Sequence, residues 1–218
     1  NRRDLKASFH NVEHHRAHMA STFFVSPFEN AAVLSVDGMG DFTSTMWGTG
    51  NGNQFDVSGS IHFPHSIGIL YTAVSQWLGF NHYGDEGKVM GLAPYGEPHY
   101  VDKLRRILRV QADKTFEVDQ SYLRYKAEGG TMSWTGGQPK IGRLYSDRFL
   151  KLFGEARIPN QTLTSYHMDI ASSLQAITEE AEFALLEKLY KETGCDNLCM
   201  AGGVALNSVF NGKGLPNT

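Results

Sequence analysis

The order of hydrophobic patterns in this chain predicts an α/β fold, a mixed sheet flanked by helices and interrupted by an insertion. Three observations predict it. The apolar run Ala31–Val36 is followed by two alternating stretches that meet at Gly50-Asn51-Gly52-Asn53, the pattern of an antiparallel meander. Residues 166–193 repeat apolar side chains at helical period, through Ile170, Leu174, Ile177, Ala181, Ala184, Leu185 and Leu189. After Gly194, a helix stop, the short apolar segment 197–201 reads as a strand returning parallel to the first.

Taken in order, Ser8–Val12 reads as a short strand feeding a helix that starts near His14. Ser26-Pro27-Phe28-Glu29-Asn30 is a surface loop. The strand Ala31–Val36 is expected to end at Asp37 in a tight turn, Gly38-Met39-Gly40-Asp41. Phe42–Gly48 and Phe55–His62 complete the meander, and Pro64-His65 ends it. Ser66 is placed to cap a helix whose core face is Ile67, Leu70, Val74 and Leu78. Gly84–Gly96, with four glycines and a proline, breaks the regular pattern. It reads either as a surface connection or as a glycine-framed Lys88 able to meet a phosphate. Residues 101–110 look helical, and 111–165 form a mixed insertion with turns at Gly129-Gly130 and Gly136-Gly137. Tyr122, Tyr125, Trp134 and Tyr145 in it are read as local packing. The closing Gly202-Gly203 pair either makes a turn or offers free amides to a phosphate or ribose. This succession describes a ribonuclease-H-like unit, two of which make the fold shared by actin, sugar kinases and heat-shock ATPases. Residues 1–30 are expected to end a first half-domain, and 31–218 to form a second, with the insertion at about 97–165.

The residues that carry chemistry sit at element ends. On a helix from His14, His14 and His18 share a face and can reach one metal ion, while His15 points elsewhere. Asp37, at a strand tip, supplies a third ligand. The histidines lack the intervening Glu of a zinc protease, and imidazole plus carboxylate with open positions suits iron, zinc or manganese. The 218 residues carry a formal net charge of -3, which gives no general attraction for nucleic acid. Cys195 and Cys199 have no second pair to complete a zinc site, so free thiols in a cytoplasmic protein are expected. No apolar run approaches the roughly 20 residues of a membrane span. The chain starts at Asn1 rather than Met and is expected to be a piece of a longer protein.

Five motifs, in this order, resemble the amino-terminal domain of the O-carbamoyltransferase family, which includes nodulation-factor and tobramycin-type enzymes. They are His14–His18, Ser35–Asp41, Phe63–Gly68, Gly87–Gly96 and Ala201–Asn207. The resemblance implies that carbamoyl phosphate and ATP give a carbamoyl-adenylate in a YrdC-like domain. The carbamoyl group then passes to a hydroxyl of a small acceptor in the actin-like domain. It implies that His14, His18 and Asp37 hold an iron-type ion, that Gly38, Gly40 and Asp41 line the phosphate end, and that Gly202, Gly203 and Asn207 line the nucleoside end. Lys88 would contact the carbamoyl-phosphate anhydride, and His15 and His65 are the local candidates for the general base. Beyond this chain the family has a first half-domain, a further metal-ligand strand and the YrdC-like domain, so the piece alone is expected to lack full activity. The competing readings are a threonylcarbamoyl transferase of tRNA, a sugar-kinase-like phosphotransferase and a non-catalytic nucleotide-binding module. The tRNA reading fits poorly with the acidic charge balance.

Overall fold

An unbroken buried run from Ala31 to Val36 needs cover on both faces, and the fold supplies it. The structure, a computed structural model, describes residues 7–135 and 137–214. In it β1 (Asn30–Gly40), β2 (Thr43–Asn51) and β3 (Gln54–His62) form an antiparallel meander. The last strand, β8 (Leu198–Ala201), joins the other edge of β1 in parallel, giving a four-stranded mixed sheet of order β3-β2-β1-β8. One face packs on α1 (His14–Phe23), where Met19 and Phe23 meet Ala31, Val33, Met46 and Cys199. The other face, with Ala32, Leu34, Val36 and Trp47, is covered by α2 (Ile67–Trp77) and the 29-residue α7 (Ser165–Thr193). Ser66 caps α2, its Oγ accepting the Ile69 N–H at 3.0 Å. Gly194 ends α7 in the left-handed conformation, φ 62°.

The structure corrects the reading at several places. Residues 8–12 form no strand; the chain is irregular until Glu13, whose carboxylate caps α1 through the Arg16 N–H at 2.7 Å. β1 does not stop at Asp37 but runs on to Gly40 after a register shift. The chain reverses at Asp41 and Phe42, both at positive φ. Gly84–Gly96 is not a loop throughout, because it contains α3 (Glu86–Leu92) and a 3-10 turn, Ala93–Tyr95. Burial of Val89 and Leu92 between α2 and α7 offsets the poor helix propensity of Gly87 and Gly91. The helix expected over 101–110 is only α4 (Val101–Leu104), since Leu108–Val110 is β4, paired with β5 (Phe116–Val118). Apolar residues at 104, 107 and 108 are buried in either conformation, so their spacing did not separate the two.

The remaining insertion holds a 3-10 turn, α5 (Tyr125–Glu128), a hairpin of β6 (Met132–Thr135) and β7 (Gln138–Ile141), and α6 (Asp147–Phe153). The expected turn at Gly129-Gly130 begins where Gly129 ends α5, a helix not expected there, while the Gly136 half of the second glycine turn lies outside the described residues. Tyr122 and Tyr125 are buried, but Trp134 is 70% exposed and is mostly open to solvent. The described residues end in a third 3-10 turn, Val204–Leu206, and α8 (Ser208–Gly214). Among the described residues no helix is long and apolar enough to cross a membrane.

Candidate metal centre

His14, Asp37 and Gly203 come from three distant segments and meet where β1 and β8, running parallel, reach their carboxyl ends. That is where open α/β sheets place ligands. The first turn of α1 is pinned there by the β1–β2 hairpin, as Asp41 Oδ2 accepts the His14 N–H at 2.9 Å. His14 and His18 then project from one helix face. His14 Nε2 and His18 Nε2 each lie 3.0 Å from Asp37 Oδ2 and 3.0 Å from one another. The other oxygen, Asp37 Oδ1, accepts the backbone N–H of Gly38 at 2.7 Å and of Gly203 at 3.1 Å. Burial pushes the Asp37 carboxyl up, but the hydrogen bonds from His14, Gly38, His18 and Gly203 together hold it below the usual carboxylate range.

The approach depends on missing side chains. A Cβ on Gly40 would stand 2.1 Å from the His14 ring, and one on Gly203 2.8 Å from Asp37 Oδ1. The donor set suits a cation. Two imidazole nitrogens and one carboxylate oxygen aim at a common point, and hydrogens placed among three mutually close atoms cannot satisfy every pair. Bonds of about 2.1 Å at right angles put neighbouring ligand atoms about 3.0 Å apart, whereas tetrahedral angles put them about 3.4 Å apart. The observed 3.0 Å edges are short enough for one ion to be shared by two histidines and one carboxylate, with further positions left open.

His15 lies outside this set. It is fully buried, and its Nε2 faces the Thr43 carbonyl at 2.9 Å, which only accepts, so Nε2 carries the proton. Its Nδ1 takes the Ser35 hydroxyl at 2.8 Å, and burial lowers its pKa. His65 Nδ1 accepts the Val118 N–H at 3.0 Å, which likewise leaves the ring proton on Nε2. Both candidate bases have their lone pairs engaged in structure. Asn207, expected at a nucleoside, exchanges hydrogen bonds with Gln175 at 2.9 and 3.0 Å and accepts the Phe210 N–H at 3.1 Å, capping α8. Lys88 is exposed and pairs with Asp85 at 2.6 Å. Asp41 serves as the tie to α1, Gly38 faces open space, and Gly202 holds the turn at φ +101°, where a Cβ would meet the Val36 carbonyl. Sequence reasoning missed Ser35 and Thr43 as the grip on His15. A serine inside an otherwise apolar buried strand was the available signal.

Residues 2–218 match the family model described as carbamoyltransferase N-terminus. The chain belongs to that family. Among relatives of this carbamoyltransferase domain, an uncharacterised Synechocystis protein is 46% identical over 92% of the chain and 31% of its own length. Nodulation protein NolO of Bradyrhizobium diazoefficiens is 33% identical over 93% of the chain and 33% of its length. Nodulation protein NolNO of Sinorhizobium fredii is 34% identical over 93% of the chain and 26% of its length. The domain thus spans about a third or less of the curated relatives it matches.

Proposed function

We propose that this domain is the acceptor-side part of an ATP-dependent O-carbamoyltransferase, in which a divalent ion on His14, His18 and Asp37 positions the phosphate of a carbamoyl-adenylate. The observation that carries the reading is the 3.0 Å triangle of ligand atoms inside a carbamoyltransferase-family domain. A divalent ion held there supplies positive charge to the phosphate oxygens as negative charge builds on them. The chain's own residues do the remaining work. Gly203 and Gly38 amides fix Asp37 as a carboxylate, and His15 locks α1 against β1 and β2 so that its neighbours keep their aim. In the transfer, the acceptor oxygen bonds to the carbamoyl carbon, the bond from that carbon to the adenylate oxygen breaks, AMP leaves, and the hydroxyl proton is lost. A ribonuclease-H-like fold, iron as the ion and a YrdC-like partner domain for making the adenylate belong to the same proposal. The mixed sheet and its helices are compatible with that fold.

The test uses the full-length protein with ATP, carbamoyl phosphate and a panel of hydroxylated acceptors, with products weighed by mass spectrometry. A carbamoyl addition that disappears after metal removal and in His14→Ala and His18→Ala supports the proposal. Phosphate transfer to the acceptor, with the histidine variants fully active, would favour the kinase reading instead.

A further inference from the structure

The turn that delivers the Gly203 amide to Asp37 is held at both ends. At its start Gly202 lies against β1 at φ +101°, where a Cβ would meet the Val36 carbonyl. Gly203 and Asn207 then bracket the 3-10 turn Val204–Leu206 as its two caps, and the Asn207 N–H donates back to the Val204 carbonyl at 2.9 Å. At its end Asn207 is gripped by Gln175 of α7. Gln175 is 4% exposed and Asn207 8%, so water competes little for either side-chain amide.

The grip is a reciprocal pair of hydrogen bonds. Gln175 Nε2 donates to Asn207 Oδ1 at 3.0 Å, and Asn207 Nδ2 donates to Gln175 Oε1 at 2.9 Å. Each amide can stand only one way round. Asn207 Oδ1 also accepts the Phe210 N–H at 3.1 Å, which a nitrogen in its place could not do. Gln175 Nε2 also donates at 2.9 Å to Glu179, a carboxylate that pairs with Lys213 at 2.7 Å. Tyr71 of α2 adds its hydroxyl to Gln175 Oε1 at 3.2 Å. Both hydrogens of Nε2 and both lone pairs of Oε1 are thereby used. Packing alone does not call for this arrangement, since two apolar side chains of similar volume would fill the space without matched partners. What the amide pair adds is a fixed place for the turn.

We infer that Gln175 is a positioning residue for the candidate metal centre, acting through Asn207 to keep the Gly203 N–H aimed at Asp37 Oδ1. With Oδ1 held by that amide, Oδ2 faces His14 and His18. With the clasp open, the turn is anchored at Gly202 alone and the aim is lost. The consequence for an ion rests on the proposed metal binding, whereas the hold on the turn does not.

Two measurements on the full-length protein test this: amide hydrogen exchange over residues 202–207 without added metal, and titration with cobalt(II) followed by its visible absorption. Gln175→Met keeps the side-chain length and removes both clasp bonds. It is expected to speed exchange over the turn at least about tenfold and to raise the cobalt Kd about tenfold, the size of effect seen when groups that orient metal ligands are removed. Asn207→Asp keeps an acceptor for the Phe210 N–H but sets an oxygen against Gln175 Oε1, and shifts both readouts the same way. Tyr71→Phe, which removes one bond that orients Gln175, gives a smaller shift and keeps the test open if Gln175→Met does not fold. Ser173→Ala controls for general loosening of α7, because Ser173 Oγ accepts the Tyr100 N–H at 2.9 Å on the opposite side of that helix. It lowers the denaturation midpoint and leaves both readouts at parent values. Parent exchange rates in Gln175→Met, an unchanged cobalt Kd, or equal losses in Ser173→Ala overturn the assignment. Faster exchange in Gln175→Met, with no cobalt bound even by the parent protein, leaves the hold on the turn standing and removes the metal-centre reading.

Discussion

The bare Cα of Gly40 lies against the His14 imidazole, and no side chain fits between them. Gly40→Ala is therefore expected to turn the ring away from Asp37 without touching the hydrophobic core. Divalent-metal affinity, measured by titration calorimetry, falls at least about tenfold, in the range seen when groups that orient metal ligands are disturbed. Far-UV circular dichroism stays as in the parent protein. Unchanged affinity would mean that the ring position does not govern the site. The histidine pair and Asp37 were legible in the sequence because helical period and a strand-terminal carboxylate are local patterns. The roles of Asn207 and His65 were not, since they depend on Gln175 and Val118, residues far away in the chain that no local pattern connects.

At the scale of one element, α7 carries a group that works against the fold. Glu182 is completely buried on it, and neither carboxylate oxygen has a hydrogen-bond partner among the described residues. Burial, and then the nearby Glu179 charge, push its pKa well above the usual carboxylate range. Between the unfolded value of about 4.3 and the raised folded value, the folded chain holds a proton that the unfolded chain has released. Stability therefore declines as pH rises through that window. Glu182→Gln, neutral at every pH, is expected to match the parent near pH 4 and to exceed it by a widening margin up to pH 8 in urea melts. A margin independent of pH would show that the carboxyl is not protonated in the folded chain. The periodicity of α7 was plain in the sequence, but this acid was not marked by it, because a single charged position does not interrupt a helical stripe.

For the whole molecule, the candidate metal centre joins segments more than 160 residues apart, through Asp37 and Gly203. An ion that binds only the folded chain stabilises it by RT ln(1 + [L]/Kd), about 2.7 kcal/mol at a hundred times Kd. A divalent ion at that excess is expected to shift the denaturation midpoint of the parent accordingly and to leave His14→Ala/His18→Ala unmoved. An equal shift in both would place the ion elsewhere. At this scale the meander, α2, α7 and the parallel return were readable from period and glycine punctuation. The insertion was not, since short hairpins such as β4–β5 and β6–β7 are set by tertiary contacts more than by their own three or four residues.

The clamp on His15 has one more effect. With Ser35 and Thr43 gripping the imidazole between the two ligands, the triangle cannot widen freely. Edges of 3.0 Å suit a small ion, whereas calcium, at about 2.3–2.6 Å from its oxygens, needs a wider cage and more of them. If an ion binds as proposed, this buried ring would hold the spacing of its two neighbours, and a rigid site of that size would favour ions smaller than calcium.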